Sequence, residues 1–358
     1  MENQFKIEPQ SLVMKSLRRG KLTTAHGVIQ TPAVIPFAKR GMVSPLTMAE
    51  LMKVGCQGLA VSALPLMVHP GENVIKMLGS FHNFLQWERP LLSTIADFDE
   101  MKKVKKNAGE LGIRYEEPYT RAHLRLTAEQ AMTIQTNGQA DVQLPMYQTP
   151  SYYAPVDDLK MALDLNLQWQ KQANSEWGIV VGAGLKSLRQ DCIKLLDHKN
   201  GYLIANLPND RDEWRRIVKE VCSLLPPQSL RMLIAVDYWQ IQEALSLGID
   251  IVISAAPIED AHRGEVYSAT GLDKISYEQF RSSSKKMTTG VGQRVTYAYL
   301  HYLHLQHNPL GDHYLGLNNW WWINQLTGEL RRAIQNEQPQ TIEKLFQLAL
   351  TNDKPVRR

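Results

Sequence analysis

The chain has 358 residues, of which 44% are hydrophobic and 21% are charged, and its formal net charge is +4. This is ordinary globular usage with enough apolar residues for a sizeable core, and the slight excess of cations permits nucleic-acid binding without requiring it. An apolar run long enough for a membrane span, a signal-peptide pattern and cysteines at disulfide or metal-ligand spacing are all lacking, so we expect a soluble cytoplasmic protein.

Eight short apolar segments have the length and composition of buried strands. They cover residues 31–38, 58–63, 91–94, 141–147, 178–183, 201–207, 231–236 and 249–256. Segments with helical spacing of apolar residues lie between most of them, at 45–54, 128–136, 157–172, 186–196, 211–224 and 239–247. This alternation predicts an α/β protein with a (β/α)8 TIM barrel. A doubly wound open sheet is the weaker alternative, because no Gly-x-Gly-x-x-Gly motif opens any of these helices.

The chain has a predicted division at residue 266. Residues 1–266 would form the barrel with a short N-terminal β extension, in which residues 18–27 have the pattern of a hairpin. Residues 97–125 would form a loop over the carboxyl face of the barrel. Residues 267–358 would form a carboxyl-terminal helical subdomain, with Trp320, Trp321 and Trp322 in its core.

Several motifs in order and in register resemble those of one family over residues 18–334. They are Arg-Gly-Lys-Leu-Thr-Thr at 19–24, His-Gly at 26–27, Thr-Pro-Ala at 31–33, Gly-Met-Val-Ser-Pro-Leu-Thr-Met-Ala-Glu at 41–50, His-Pro-Gly at 69–71, Phe-His-Asn-Phe-Leu-Gln-Trp at 81–87 and Ala-Tyr-Leu-His at 298–301. The family is the tRNA-guanine transglycosylases, pentosyltransferases that exchange a guanine in tRNA for a 7-deazaguanine base on a zinc-bearing (β/α)8 barrel. The resemblance implies the same fold.

The resemblance also implies that the family's catalytic residues are replaced here. Thr94 is at the position of the aspartate that follows the third strand, and Ile253 is at the position of the nucleophilic aspartate on the last strand. Two positions of the nucleobase pocket fall at Tyr147 and Val181. Because a hydrocarbon side chain has no lone pair with which to attack a ribose carbon, the chain is predicted to be inactive alone.

The family's zinc ligands are replaced as well. Their positions correspond to Met287, Thr289, Gly292 and Asn318, and these residues cannot form the thiolate and imidazole shell of structural zinc. The nearby histidines 301, 304, 307 and 313 are expected to have surface or capping roles. We therefore predict no zinc and no other cofactor.

Three functional hypotheses follow. The favoured one is a non-catalytic paralogue that acts in queuosine-type tRNA modification, either as partner subunit of a catalytic transglycosylase in a homo- or heterodimer or as an RNA-docking protein. The second is an active glycosyl- or ribosyltransferase acting on a nucleic acid base, with a rebuilt site whose carboxylates come from Asp97, Asp99, Glu259 and Asp260. The third is a dimeric scaffold that binds no RNA.

Clustered cations favour the RNA-binding hypothesis, since such clusters bind phosphates with salt-sensitive affinity. The predicted RNA-binding residues are Arg263, Lys285, Lys286, Arg294, Arg331 and Arg332. Glu329, next to the last two, weakens the positive field at that point.

Overall fold

A computed structural model describes residues 3–8, 17–95, 108–109, 111–116, 121, 123–196, 199–269, 271–288, 290 and 294–350. Two three-stranded antiparallel sheets of the described residues lie outside the main sheet. The first contains β1 (Gln4–Ile7), β2 (Gly20–Thr24) and β3 (Gly27–Thr31), and the second contains β7 (Ala108–Gly109), β8 (Gly112–Glu116) and β9 (His123–Leu126). The β2–β3 pair confirms the predicted hairpin.

The main sheet contains eight parallel strands. In chain order they are β4 (Ala33–Ala38), β5 (Leu59–Ser62), β6 (Leu91–Thr94), β10 (Val142–Gln143), β11 (Trp177–Val180), β12 (Gly201–Ile204), β13 (Leu230–Ala235) and β14 (Ile251–Ser254). Their hydrogen-bonded order is β10-β6-β5-β4-β14-β13-β12-β11, so the first strand pairs with the eighth. This order confirms the (β/α)8 barrel and excludes the doubly wound sheet.

The barrel is nearly closed, with its gap between β10 and β11. The fourth strand is only Val142–Gln143, although the sequence predicts 141–147. Pro145 lacks the N–H group that a ladder requires, which accounts for the early end of the strand. The Ser175 hydroxyl, just before β11, donates to the Gln143 carbonyl over 3.0 Å and joins the two sides of the gap.

Helices follow the barrel strands and cover the outside of the sheet. They are α1 (Met48–Lys53), α2 (Ala63–Leu66), α3 (Glu72–Leu78), α4 (Phe81–Leu85), α5 (Ala128–Asn137), α6 (Val156–Ala173), α7 (Lys186–Leu195), α8 (Arg211–Leu224), α9 (Tyr238–Ser246) and α10 (Ala256–His262). Thr47 and Thr127 form capping boxes that fix where α1 and α5 begin, because their hydroxyls accept from backbone N–H groups of the first turn.

The carboxyl-terminal region packs on the side of the barrel where the eighth strand pairs with the first. Its strands are β15 (Glu265–Ser268), β16 (Gly271–Lys274), β17 (Lys286–Thr288) and β18 (Arg294–Thr296), and its helices are α11 (Tyr297–Leu305), α12 (Pro309–Gln335) and α13 (Pro339–Leu350). The buried Asn319 amide of α12 donates to the carbonyls of Pro257 and Glu265 and thereby attaches α12 to the barrel.

The three consecutive tryptophans of α12 contribute to the core to different degrees. Trp320 is fully buried, and Trp321 and Trp322 are partly buried against the same core. The division at residue 266 stays a prediction. Within the described ranges, no helix combines the length and the apolar character that crossing a membrane demands.

Candidate active-site face of the barrel

A cavity of about 260 Å³ opens at the carboxyl ends of the barrel strands, the end of such barrels at which active sites lie. This volume is slightly below the roughly 300 Å³ at which small-molecule sites begin. The cavity is enclosed by the loop after β10, the end of β12, the end of β13 and two helices. Its described lining residues are Tyr147, Thr149, Pro150, Tyr152, Leu203, Ile204, Ala205, Asn206, Leu207, Pro208, Asn209, Trp214, Ile234, Val236 and Gln240.

The polar side chains around this cavity are largely engaged in holding its walls. Asn206 donates to the Pro150 carbonyl over 3.1 Å and accepts from the Ala183 N–H over 2.9 Å. The Gln240 amide oxygen accepts from the Val236 N–H over 3.0 Å. These bonds hold both atoms of the Asn206 amide and the Gln240 amide oxygen within the protein.

Two tyrosines of the cavity are neutral at physiological pH. Burial raises the pKa of the Tyr147 hydroxyl to about 12. The Tyr152 hydroxyl donates to Glu213 over 2.6 Å, and burial followed by this contact holds its pKa well above the usual value. The arrangement can offer hydroxyl groups but no anion, because none of the described lining residues is an aspartate or a glutamate.

The position at which the resemblance puts the family's nucleophile holds a hydrocarbon side chain. Ile253 is fully buried in β14, where it pairs with Ile35 of β4 on one side and Ile234 of β13 on the other. Thr94, at the end of β6, and Val181, directly after β11, are also buried. The structure therefore brings Tyr147 to the cavity wall and places the other three positions in the packed interior of the strand ends.

Two polar side chains at the eighth strand, Ser254 and Asp250, form hydrogen bonds within the protein. The Ser254 hydroxyl donates to the Ala235 carbonyl over 2.8 Å and accepts from the Ala256 N–H over 3.0 Å, so it fixes the turn into α10. The Asp250 carboxylate lies at the amino end of β14, opposite to the cavity. It is buried, accepts from Arg18 Nε over 2.9 Å and accepts from the Arg231 N–H over 2.7 Å.

Of the four candidate carboxylates of a rebuilt site, two lie in α10 and two lie outside the described residues. Glu259 pairs with Lys39, which follows the first strand, over 2.5 Å between Oε1 and Nζ. Asp260 instead accepts from the Tyr267 hydroxyl and from Arg263. Asp97 and Asp99 lie outside the described residues.

Asp260 lines a second cavity, of about 180 Å³, beside α9 and α10. Its surroundings include the charged side chains of Arg211, Asp237, Arg263 and Glu265. Burial raises the pKa of Asp260 to about 6, against the opposing effects of the Tyr267 hydrogen bond and the Arg263 charge. A carboxyl group with this pKa can hold or release a proton near neutral pH.

The predicted RNA-binding cations divide into engaged and exposed groups. Lys285 pairs with Asp273 over 2.7 Å and lies 4.4 Å from the Tyr297 ring centre. Arg331 donates to the Pro32 carbonyl over 2.7 Å, and burial lowers its pKa to about 10. Arg263 is held by Asp260, whereas Lys286, Arg294 and Arg332 are exposed. Their role in RNA binding stays a prediction.

The two described residues at positions where the resemblance puts zinc ligands, Met287 and Asn318, have poor chemistry for a zinc ion. Met287 is buried among apolar side chains of the carboxyl-terminal region, and its thioether is a poor substitute for a thiolate. The Asn318 amide nitrogen donates to the Tyr267 carbonyl over 2.9 Å. Thr289 and Gly292 lie outside the described residues. All three cysteines of the chain are buried and free at other places, and none is near this position in sequence.

A polar cluster that the sequence does not reveal lies at the opposite end of the barrel. His26, His82 and Asp141 come from three separate segments, and a potential ligand atom of each lies within 4.8 Å of the others. Both histidines belong to recognisable motifs, but the sequence separation of 115 between His26 and Asp141 conceals their contact. Only the fold brings these side chains together.

Comparison with known proteins identifies the relatives of this chain. A family model described as queuine tRNA-ribosyltransferase matches residues 14–351. A queuine tRNA-ribosyltransferase of Nitrosospira multiformis is 29% identical over 350 residues, covering 92% of this chain and 95% of the relative. Proteins with the same name from Aromatoleum aromaticum and Azoarcus sp. are each 28% identical over 337 residues, covering 88% of this chain and 91% of each relative.

Proposed function

Because the chain belongs to the queuine tRNA-ribosyltransferase family, we propose that it is a non-catalytic member that acts in 7-deazaguanine (queuosine-type) tRNA modification. In this proposal it is a cytoplasmic protein that docks tRNA, as partner subunit of a catalytic transglycosylase or by itself. The observation that carries the proposal is the fully buried Ile253 at the position of the family's nucleophile.

The chemistry of base exchange supports this conclusion. A covalent ribosyl intermediate requires a nucleophilic oxygen, and an isoleucine side chain has no atom that can attack. The cavity at the mouth has no carboxylate among its described lining residues, so these residues offer no anionic group that could take a proton from the base. The proposal involves no zinc at the Met287 and Asn318 positions.

Docking of tRNA is supported by the surface of the carboxyl-terminal region. β17 and β18 form an antiparallel pair in which Met287 and Val295 face inward, while Lys286 and Arg294 lie on the exposed face. Because the two cations are diagonal neighbours on one face, they can contact adjacent phosphates of a nucleic-acid backbone.

A labelled-guanine exchange assay tests the proposal. We expect no incorporation into tRNA by the chain alone, and a changed rate or tRNA preference when a catalytic family member is also present. A mobility-shift titration measures tRNA binding independently of exchange, and light scattering measures the mass of the complex with the catalytic member. Guanine incorporation by the chain alone would overturn the non-catalytic assignment. Failure to bind tRNA, alone or with the catalytic member, would overturn the docking role.

The second candidate is an enzyme with a rebuilt site, and the environment of Asp260 favours it specifically. The raised pKa of this carboxyl group and the charged cavity beside it are features of catalytic acids. In that case exchange or hydrolysis of a nucleobase would occur with the chain alone. The Asp260→Asn substitution would then abolish the activity, whereas Glu278→Gln on the exposed surface would leave it unchanged.

A further inference from the structure

The amino end of the barrel carries a group of side chains with the composition of a metal site. His26 lies in the turn between β2 and β3, His82 lies in α4, and Asp141 directly precedes β10. His26 Nδ1 is 2.9 Å from Asp141 Oδ1, and His82 Nε2 is 3.4 Å from Asp141 Oδ2. The two imidazole rings stack with their centres 3.6 Å apart. We infer that this His26–His82–Asp141 cluster binds a divalent transition-metal cation, with Zn²⁺ as the best match.

His82 is prepared for this role by its surroundings. Its ring is buried, and Nδ1 lies 2.8 Å from the Trp87 carbonyl oxygen. A carbonyl can only accept, so Nδ1 carries the proton and the lone pair of the neutral ring is on Nε2. That Nε2 atom is buried and faces the cluster, where its nearest polar neighbour is Asp141 Oδ2 at 3.4 Å and no well-formed hydrogen bond is made. Metal-binding histidines are commonly oriented in this way, with the second ring nitrogen donating to a backbone carbonyl.

Asp141 supplies an oriented carboxylate. Its side chain is buried, and Oδ2 accepts from the Leu91 N–H over 2.9 Å, which leaves Oδ1 directed toward His26. A buried unpartnered ring nitrogen beside a buried carboxylate is costly unless a further group satisfies it. A cation at this point would give His82 Nε2 a partner, whereas the carboxylate already accepts from the Leu91 N–H and lies 2.9 Å from His26 Nδ1.

Two of the three separations between potential ligand atoms are close to those of tetrahedral coordination. Zinc binds imidazole nitrogen and carboxylate oxygen at about 2.0 to 2.2 Å, which separates neighbouring ligand atoms by about 3.3 Å. The separations of 2.9 and 3.4 Å lie on either side of this value. Two nitrogens and one oxygen favour zinc or a similar transition metal over Mg²⁺ or Ca²⁺, which prefer oxygen ligands alone.

Solvent reaches the cluster through His26, whose side chain is 35% exposed. The turn that carries it is at the surface, so this ring can rotate out of the stack. Coordination requires this rotation, because the in-plane lone pairs of two rings stacked 3.6 Å apart do not converge on one ion. The open side leaves room for a water molecule as fourth ligand. The cation would then join the amino-terminal hairpin to α4 and to the start of the fourth barrel strand. This role is independent of the proposed function at the other end of the barrel.

Cobalt(II) titration of the full chain, after removal of metal with a chelator, tests the inference. We expect one Co²⁺ per chain, visible d–d absorption, displacement by Zn²⁺ and a melting temperature that rises by several degrees with saturating Zn²⁺. The His26→Ala substitution changes an exposed turn residue and should weaken binding at least tenfold. The Asp141→Asn substitution keeps the size of the side chain and should have a similar effect.

The matched control is His262→Ala. His262 pairs with Asp312 over 2.7 Å, with a side-chain exposure of 46%, and this pair lacks a third ligand within the described part of the chain. The control should keep the stoichiometry and the spectrum of the wild type. Absence of saturable Co²⁺ and Zn²⁺ binding in the wild-type chain would overturn the inference. So would binding that survives both His26→Ala and Asp141→Asn, or that is lost equally in His262→Ala.

Discussion

Ile253 of β14 stands opposite Ile35 of β4 at the seam where the eighth barrel strand pairs with the first, and both side chains are fully buried. A hydrocarbon side chain therefore stands where the family resemblance puts a nucleophilic carboxylate. The interior at this seam is therefore packed for stability, and its tolerance of a carboxylate can be measured.

We expect Ile253→Asp to destabilise the protein by about 3 to 5 kcal/mol, because the charged group would be buried without a partner. Ile253→Val removes one methylene and should cost only about 0.5 to 1.5 kcal/mol. Urea unfolding followed by circular dichroism measures both. An Ile253→Asp variant that is as stable as Ile253→Val and that gains guanine exchange would contradict this account. It would show that the surrounding residues can still bind guanine and tRNA for catalysis.

The Arg18–Asp250 pair holds the amino-terminal segment against the eighth strand. Both side chains are almost completely buried, and Arg18 also donates to the Ser229 carbonyl over 2.5 Å. Replacing Arg18 by Met leaves a buried carboxylate without its cation, so we expect a loss of about 3 to 5 kcal/mol in the free energy of unfolding. Arg281→Met breaks the exposed Arg281–Glu278 pair, in which both side chains are 75% exposed, and should change nothing measurable. Equal effects of the two substitutions would contradict this account.

The contribution of Asp260 to the free energy of unfolding should decrease as the pH rises. Its pKa of about 6 in the folded protein is above the value of about 3.9 in an unfolded chain. The folded state therefore binds the proton more tightly, so this contribution to stability is full below pH 4. It declines between about pH 4 and pH 6 and is absent above that range. The total change is about 2 to 3 kcal/mol.

The Asp260→Asn variant isolates this effect. Its stability relative to the wild type should be near zero at pH 4 and should become 2 to 3 kcal/mol more favourable by pH 8, since the amide cannot ionise. Guanidinium unfolding at each pH provides the difference, and Glu278→Gln on the surface is the control. A difference that is constant across this range would mean that Asp260 is ionised in the folded protein at all these pH values.

The sequence predicts the barrel well because its strands are apolar runs that are buried on both faces, such as residues 251–254. It predicts α2, α3 and α4 poorly, since Pro65 and Pro70 interrupt the helical spacing between the second and third strands. Residues 267–289 are irregular in pattern yet contain β16 and β17, which are only four and three residues long. Short strands leave too little periodicity to detect.

The candidate site could be predicted only in part, because sequence gives position along a strand but not the partners of a side chain. The resemblance identifies Ile253, and the structure adds that it is fully buried. The raised pKa of Asp260 depends on burial, which outweighs the opposing Tyr267 hydrogen bond, and both are results of packing. For the same reason, the adjacent residues Arg331 and Arg332 do not predict that the Arg331 guanidinium donates a hydrogen bond to the Pro32 carbonyl.

The exposed cations of the β17–β18 pair provide the last prediction, which concerns tRNA binding. Lys286 and Arg294 share the exposed face of this pair, whereas Lys285 is held by Asp273 and Arg331 by backbone carbonyls. Each cation that contacts a phosphate adds about 0.7 to 0.9 to the slope of log K against log salt concentration, because a counterion is released. The Lys286→Ala, Arg294→Ala double variant should therefore reduce this slope by about 1.5.

The matched control removes the same charge from the exposed side of α6, with Lys160→Ala and Lys171→Ala, and should leave the slope unchanged. Filter binding between 50 and 200 mM salt supplies both slopes. Equal reductions in the two variants would mean that tRNA responds only to net charge, and no reduction in either would place the docking surface on another part of the chain.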